Sequence, residues 1–555
     1  MNIKPVSDSF FVSDAITVDD LPNIAELGIK TIICNRPDEE ESTQTPFKTL
    51  EHHALEFGVS CIHLPVVSTD IDSSVAMQMA NEFDAAETPV LGYCRSGFRS
   101  MTLWATGKVI KYGCDIDELS KSAGNIGYDI KQSVQRLTQA YLNQQQGKVI
   151  DVVIVGGGAA GVAAASSILS RTKALSIAII EPSGTHYYQP GWTMVGAGVF
   201  DKERTKRAMQ EVMPKGADWI PHAVTQFMPA CSSVVLDNGD VVSYSNLVVA
   251  AGLKLDWEKI EGLSETLGEN GVTSNYRFDL APYTWELVSN LKSGQAIFTQ
   301  PPMPIKCAGA PQKAMYLSAD NWLKNTCLEN INIDFCSAAP TLFGVEHYVP
   351  ALMSYVEKYR ANLNFKHNLV KVDGPNRMAW FEKVDQDGQT RLVEKTFDML
   401  HVCPPQSAPD FIKKSPLSDQ SGWVDVDAQS LQHKRYPNIW GIGDVTNTPN
   451  AKTAAAARAQ APVLACNLLA SIGLAIQPLN YQGYGSCPLT VELGKVVLAE
   501  FGYGGELMPS FPSWIVDGKT PSSLSWTLKK SVLPELYWHA MLKGREWLVA
   551  TEPRT

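Results

Sequence analysis

Two short stretches of this 555-residue chain put residue types that do chemistry at the spacings the chemistry needs. The first is Cys94-Arg95-Ser96-Gly97-Phe98-Arg99-Ser100, which follows the apolar run PVLGY and precedes MTLWATGKVIKYG, a helical pattern. A cysteine there sits in a ring of backbone N–H groups at a helix N-terminus, an arrangement that favours the thiolate. Arg99 follows after four intervening residues, and so short a ring fits a persulfide better than a tetrahedral phosphate. The second stretch is Gly156-Gly157-Gly158-Ala159-Ala160-Gly161, directly after the strand-like DVVIV and opening a helix. Gly156, Gly158 and Gly161 let the backbone approach a pyrophosphate seated on the helix N-terminus. Glu181, closing the next strand about 20 residues on, suits a ribose 2′-hydroxyl.

Both loops need strands and helices to hold them. Short β-rich runs (KTIIC, CIHLPV, PVLGYC) alternate with polar helical stretches over residues 1–135, the pattern of a parallel α/β domain. The Gln-rich segment 136–148 reads as a linker, and α/β alternation resumes from 149 to 500. Within that body LVVAAGL and NIWGIGDVTN are further strand-to-turn pieces, the latter placing Gly443 and Asp444 at a strand end before a helix. In the segment 501–555, Trp514, Trp526, Trp538 and Trp547 interleave with Lys529, Lys530, Lys543 and Arg545. Such a tail suits an amphipathic helix in a membrane interface, or a helix packed on the body with Trp as core.

Composition excludes several classes. A net charge of −11 and no basic face argue against nucleic acid. The acidity sits at the N-terminal end, where residues 1–147 hold 11 Lys and Arg against 20 Asp and Glu. Eleven irregularly spaced cysteines suggest a reducing compartment with a few functional thiols, and none shows zinc spacing, so no metal is expected. The N-terminus lacks a signal pattern, and the apolar stretch 454–476 is interrupted by Arg458, Gln460 and Asn467, so a cytoplasmic protein without a membrane span is expected.

Longer blocks carry a resemblance. YYQPGWTMVGAG, PIKCAGAPQKAMYLS, HVCPP, GWVDVD, GIGDVTNTPNAKTAAA and GYGSCPL, in this order, resemble the sulfide:quinone oxidoreductases of the mitochondrial type. The resemblance implies tandem Rossmann-like domains of the FAD-dependent disulfide-reductase type. It implies an FAD site lined by Ala159, Ala160, Glu181, Gln189, Val224 and Asp444, with Lys452 beginning a helix aimed at the flavin ring. A nicotinamide-using relative would carry a second glycine motif near 295–310, where this chain reads AIFTQPPMPIKCAGAP. Cys307 matches the family's first redox cysteine, and Lys306 and Lys313 beside it favour a thiolate. The second family cysteine follows the Asp of GIGD, and here that position is Val445. Cys403 is the expected replacement, with Cys336 or a mechanism without a protein partner as alternatives; Cys487 matches the family pattern and is expected to be a packing thiol.

The first 110 or so residues resemble a phosphatase-like family found fused to sulfur-oxidising enzymes. Tyrosine-phosphatase-like loops have five residues between Cys and Arg, whereas the four between Cys94 and Arg99 match the rhodanese-type loop, so sulfur transfer is expected ahead of phosphatase activity or docking. Asp70 and Asp72 would be a phosphatase's general acids, or else caps of a helix beginning near Ser73.

Together these imply an α/β enzyme oxidising sulfide with FAD and passing electrons to a membrane quinone, with persulfide transfer through Cys94 to a small thiol such as glutathione. Its expected place is cytoplasmic, peripheral on the inner face of the cell membrane, with homo-oligomer formation left open. The alternative is an NAD(P)H-dependent persulfide or disulfide reductase with a regulatory protein-tyrosine-phosphatase-like domain.

Overall fold

The run TIIC is buried at all four positions, as a central parallel strand must be. It is β3 (Thr31–Cys34) of a five-stranded sheet with β1 (Lys4–Ser7), β2 (Phe10–Ser13), β4 (Ser60–His63) and β5 (Val90–Tyr93), in the order β1-β2-β5-β3-β4. Pairing is parallel except for β1 with β2. Alternation sends Ile33 to one face with Phe10, Val12, Met101 and Trp104, and Ile32 to the other with Ile24, Leu50 and Leu91. Helices α1 (Ser73–Ala85), α2 (Phe98–Tyr112) and α3 (Lys131–Gln145) cover the first face, and the helices Leu21–Glu26 and Phe47–Glu56 cover the second.

The computed structural model describes residues 1–67, 71–145, 149–385, 387–547 and 551–554. Asp70 and the end of the expected linker, 146–148, thus lie outside the described residues. The rest of that linker is a correction: 136–145 belongs to α3, whose Val134, Leu137, Thr138 and Leu142 are buried at spacings of three and four. The chain forms two units, Met1–Ile150 with Val224–Ser245, and Asp151–Ala223 with Asn246–Thr555.

In the second unit, β6 (Ile150–Val155) leads into α4 (Ala159–Arg171), followed by β7 (Ile177–Ile180) and β8 (Ala217–Ile220). The hairpin β9 (Val224–Met228) and β10 (Ser233–Leu236) groups with the first unit, and the chain returns along β11 (Val241–Val249). Strands run β8-β7-β6-β11, with β17 (Ile439–Gly441) parallel to β11. A second, all-parallel sheet has the order β12-β16-β13-β14-β15, from β12 (Val272–Thr273), β13 (Gly294–Gln300), β14 (Ile331–Ser337), β15 (Asn362–Phe365) and β16 (Met399–His401). Helix α5 (Ala310–Lys324) follows β13, and α6 (Ala454–Ser471) follows β17. An antiparallel pair, β18 (Gly485–Glu492) and β19 (Lys495–Phe501), packs on α5.

The tail is not one amphipathic helix. It breaks into α7 (Ser523–Thr527), a π-helical turn Leu528–Val532 and α8 (Leu533–His539). Tyr537, Trp538, Met541 and Leu542 are buried in the core around α4 and α6, while Trp514 is 84% exposed and Leu524, Val532 and Trp547 also face outward. The two readings of the tail therefore divide along it. No helix of the described residues is long and apolar enough to cross a membrane.

Candidate active site

The glycine turn is built by close approaches that a side chain would block. Gly156 has φ +107°, and a Cβ there would stand 2.5 Å from the Ala250 carbonyl oxygen; one on Gly161 would overlap the Gly156 carbonyl. Gly158 caps α4 without a side chain, so the first N–H groups of the helix stay open to a ligand. Glu181 accepts from the Gly157 N–H at 2.8 Å. Gly158, Ala159, Ala160, Glu181, Gln189, Gly443, Asp444 and Lys452 all line one cavity of about 460 Å³, within the range of cofactor sites. Gly156 and Gly161 shape the turn from behind that lining. Val224 is absent from the lining: it lies in the β9–β10 hairpin, paired with Leu236.

Three buried atoms of the lining, Trp192 Nε1, Thr193 Oγ1 and Asn275 Oδ1, have no hydrogen-bond partner in the protein. Buried polar groups are nearly always satisfied, so these fit a polar ligand in the cavity, as the open glycine turn fits a dinucleotide. Sequence patterns did not single out these atoms, because no spacing rule links them.

At the other side of the cavity Lys452 donates to the carbonyl oxygens of Asp444 at 2.7 Å and Thr446 at 2.8 Å. Burial pulls its amine down to about 8, against the opposing charge of Asp444. Burial likewise holds the Asp444 carboxyl above its ordinary range, with Lys452 and Lys306 opposing. Thr453 caps α6 by accepting from the Ala456 N–H, so this helix also opens on the cavity.

The backbone of Cys307 is fixed from both sides. Its N–H donates to the Lys452 carbonyl at 2.8 Å, its own carbonyl accepts from Ala310 at 2.7 Å as α5 begins, and its φ is +50°. The Cys307 sulfur lies 3.1 Å from Lys313 Nζ, while Lys306 Nζ turns to Gln189 Oε1. The neighbour of the Cys307 sulfur is Cys487 of β18, whose thiol hydrogen-bonds to it. That hydrogen bond, with the charges of Lys313 and Lys529, holds the Cys307 thiol well below the usual range against burial. Cys487 is driven well above it by the same hydrogen bond and by burial. Lys529 donates to the Pro488 carbonyl at 3.0 Å, and burial and Lys313 push its amine well down.

The expected partner, Cys403, makes other contacts. Cys403 shares a small apolar cluster with Cys307, but its sulfur faces the Pro404 carbonyl and the Gln406 amide, each at 3.9 Å, and burial pushes its thiol up to about 12. Cys336 is buried within β14, its thiol also pushed up to about 12, and Val445 is fully buried. Cys487 is packed in a core cluster, as expected of it, and the tertiary fold also gives it Cys307 as a neighbour.

In the first unit, the loop between β5 and α2 carries Cys94, buried, with Gly97 at φ +83° beneath the Tyr128 hydroxyl. Arg99 donates to the Val66 carbonyl at 2.5 Å and to Glu40 at 2.8 Å, and reaches the Cys94 sulfur. Glu40 also accepts from Arg36 at 2.9 Å, and Arg99 chiefly holds its carboxyl below the usual range. Asp72 caps α1, accepting from Ser74 at 2.8 Å and Val75 at 3.1 Å.

Residues 2–111 match the family described as beta-lactamase hydrolase-like protein, phosphatase-like domain, and residues 150–300 match pyridine nucleotide-disulphide oxidoreductase. The mitochondrial sulfide:quinone oxidoreductase of Mus musculus is 41% identical over 394 residues, covering 71% of this chain and 86% of that protein. That of Dictyostelium discoideum is 42% identical over 403 residues, covering 72% and 87%. The solved sulfide:quinone oxidoreductase of Aquifex aeolicus shares the fold, with TM-score 0.60 at 16% identity over 72% of this chain and 92% of that one. At the identity and coverage of the first two relatives, the chain belongs to the sulfide:quinone oxidoreductase family, with a phosphatase-like domain ahead of the oxidoreductase body.

Proposed function

We propose that the chain oxidises sulfide to sulfane sulfur at Cys307 and delivers the electrons to a membrane quinone, and that Cys94 relays the sulfane sulfur to a small thiol such as glutathione. The observation that carries this reading is the sharing of one cavity by the glycine cradle, the Cys307 thiol and the apolar side chains Phe511, Leu528, Leu533 and Leu536 of the tail. FAD, the dinucleotide that this lining suits, supplies when bound a two-electron carrier between the thiol and the quinone.

The chain's own residues do the rest. Lys313 keeps the Cys307 sulfur ready as a nucleophile. Trp192, Thr193 and Asn275 offer polar atoms to orient the cofactor. The tail residues give a quinone ring and its chain an apolar entry, and exposed Trp514, Leu524 and Val532 suit contact with a lipid surface. The reading places the protein at the inner face of the cell membrane, and that contact is in keeping with it. Arg99 beside Cys94 suits an anionic persulfide.

An anaerobic absorbance titration of the yellow protein tests the reading: sulfide is expected to bleach the flavin and a soluble quinone to restore it. Bleaching by NADH with no response to sulfide would overturn it in favour of a nicotinamide-dependent reductase.

A further inference from the structure

Val445 leaves a chemical gap. It stands where the family places its second redox cysteine, and its side chain can neither form nor open an S–S bond. Oxidation of sulfide by opening a protein disulfide needs a second sulfur, because that disulfide must release a thiol. Among the described residues, Cys487 packs in the same cluster as Cys307, its sulfur lies against Gly309 two residues further along the loop, and the two thiols interact.

We propose that Cys307 and Cys487 are the redox pair of this chain, with Lys313 carrying the charge balance for both sulfurs; the proposal rests on the sulfide-oxidising reading above. Three features of the geometry support it. Lys313 hydrogen-bonds to the Cys307 sulfur at 3.1 Å and its charge also acts on Cys487, so either sulfur can be released as a thiolate near an ammonium. Gly309 lies between the loop and the strand, where a Cβ would stand 2.5 Å from Cys487 Sγ, so glycine is what lets α5 approach β18 this closely. Along β18, Ser486 and Pro488 line the cavity, while Cys487 between them faces the start of α5 beside Gly309. Cys307 itself lines the cavity, so a small anion entering there meets its sulfur first.

The pair makes a balanced cycle. Hydrosulfide attacks Cys307 Sγ of the disulfide; the S–S bond to Cys487 breaks, a new S–S bond forms, and Cys487 leaves as a thiolate that takes one proton. Cys307 then carries the persulfide, whose outer sulfur has been oxidised by two electrons, and the Cys487 thiol holds the reducing equivalents. Transfer of that sulfur to an acceptor thiol leaves both cysteines reduced. Re-forming the disulfide releases two electrons and two protons, which convert one quinone to quinol. Access sets the direction of attack: Cys307 lines the cavity and Cys487 does not.

Peptide mapping of the holoenzyme under non-reducing conditions, with free thiols alkylated before digestion, tests the assignment without relying on turnover. In the oxidised enzyme the expected result is a Cys307–Cys487 link, directly or through one extra sulfur. After anaerobic sulfide, Cys307 should carry one added sulfur and Cys487 should become alkylatable. The link should persist in Cys403→Ser. Cys487→Ser and Cys487→Ala, checked for retained flavin, should both lose sulfide-dependent quinone reduction. A link from Cys307 to Cys403 or to any other cysteine, or no link in wild type together with full turnover in Cys487→Ser, would overturn the pair while leaving sulfide oxidation standing. A wild-type enzyme that sulfide does not reduce would instead sink the underlying reading.

Discussion

At Cys307 two large effects oppose each other. Burial disfavours a charged sulfur by up to about 3–5 pH units in a fully buried site. The S–H of Cys487 and the ammonium of Lys313, 3.1 Å away, act the other way, and that charge pair alone is worth about 5 kcal/mol at an effective dielectric of 20. The favourable side wins, so the reduced enzyme should be alkylated by iodoacetamide at Cys307 well below the pH that an ordinary thiol needs. Cys403, pushed up to about 12, should stay unlabelled until the chain unfolds. In Lys313→Met the pH of half-maximal labelling at Cys307 should move upward by about one to three pH units. An unchanged profile would show that Lys313 does not set the thiol. Little of this centre was legible in the sequence. Cys307 and its lysines form a local block, but Cys487 comes from a distant strand, and no spacing rule reports a contact made only when β18 packs on α5.

At the scale of elements, the β6-turn-α4 unit was legible because its constraint is local: glycine alone satisfies the close approaches at 156 and 161. Gly161→Ala should therefore yield a folded but colourless protein, measured as flavin absorbance per polypeptide. Full flavin content in that variant would contradict the role given to the turn. The 136–145 stretch was misread for the opposite reason. Its Gln-rich polarity hid a stripe of Val134, Leu137 and Leu142 that packs α3 onto the first unit. The glycine turn is also tied to the tail: His186 bridges the Gly157 carbonyl at 3.0 Å and the Tyr537 hydroxyl at 2.7 Å. Burial pulls His186 down to about 4, and His401 likewise to about 4. Both lie below the ordinary histidine value of about 6.5, so the unfolded chain binds the extra protons first. Their contribution to stability is full above about 6.5 and is lost as pH falls toward 4. Thermal unfolding followed by flavin release should show Tm falling across that window, with a shallower slope in His186→Asn. A flat profile from pH 7 to 4 would refute neutral burial of these rings.

At the scale of the whole molecule, the chain joins a sulfur-loop domain to a flavin-type body whose cavity ends in an apolar tail. Composition alone could not divide that tail, since tryptophan occurs both in its core part, at Trp538, and on its surface, at Trp514; packing against α4 and α6 separates them. Trp514→Ala with Leu524→Ser should weaken co-flotation with phospholipid vesicles and lower turnover with long-chain quinones, while leaving turnover with a water-soluble short-chain quinone near wild type. Equal loss with both quinones would argue for structural damage in place of lipid contact. The central claim is that sulfide is oxidised at Cys307 and its sulfur handed on through Cys94. The most direct measurement compares sulfide-dependent quinone reduction and sulfane delivery to glutathione in wild type, Cys307→Ser and Cys94→Ser. Cys307→Ser is predicted to abolish both, and Cys94→Ser to keep quinone reduction while stopping delivery; quinone reduction surviving in Cys307→Ser, or equal loss in the two variants, would contradict the account.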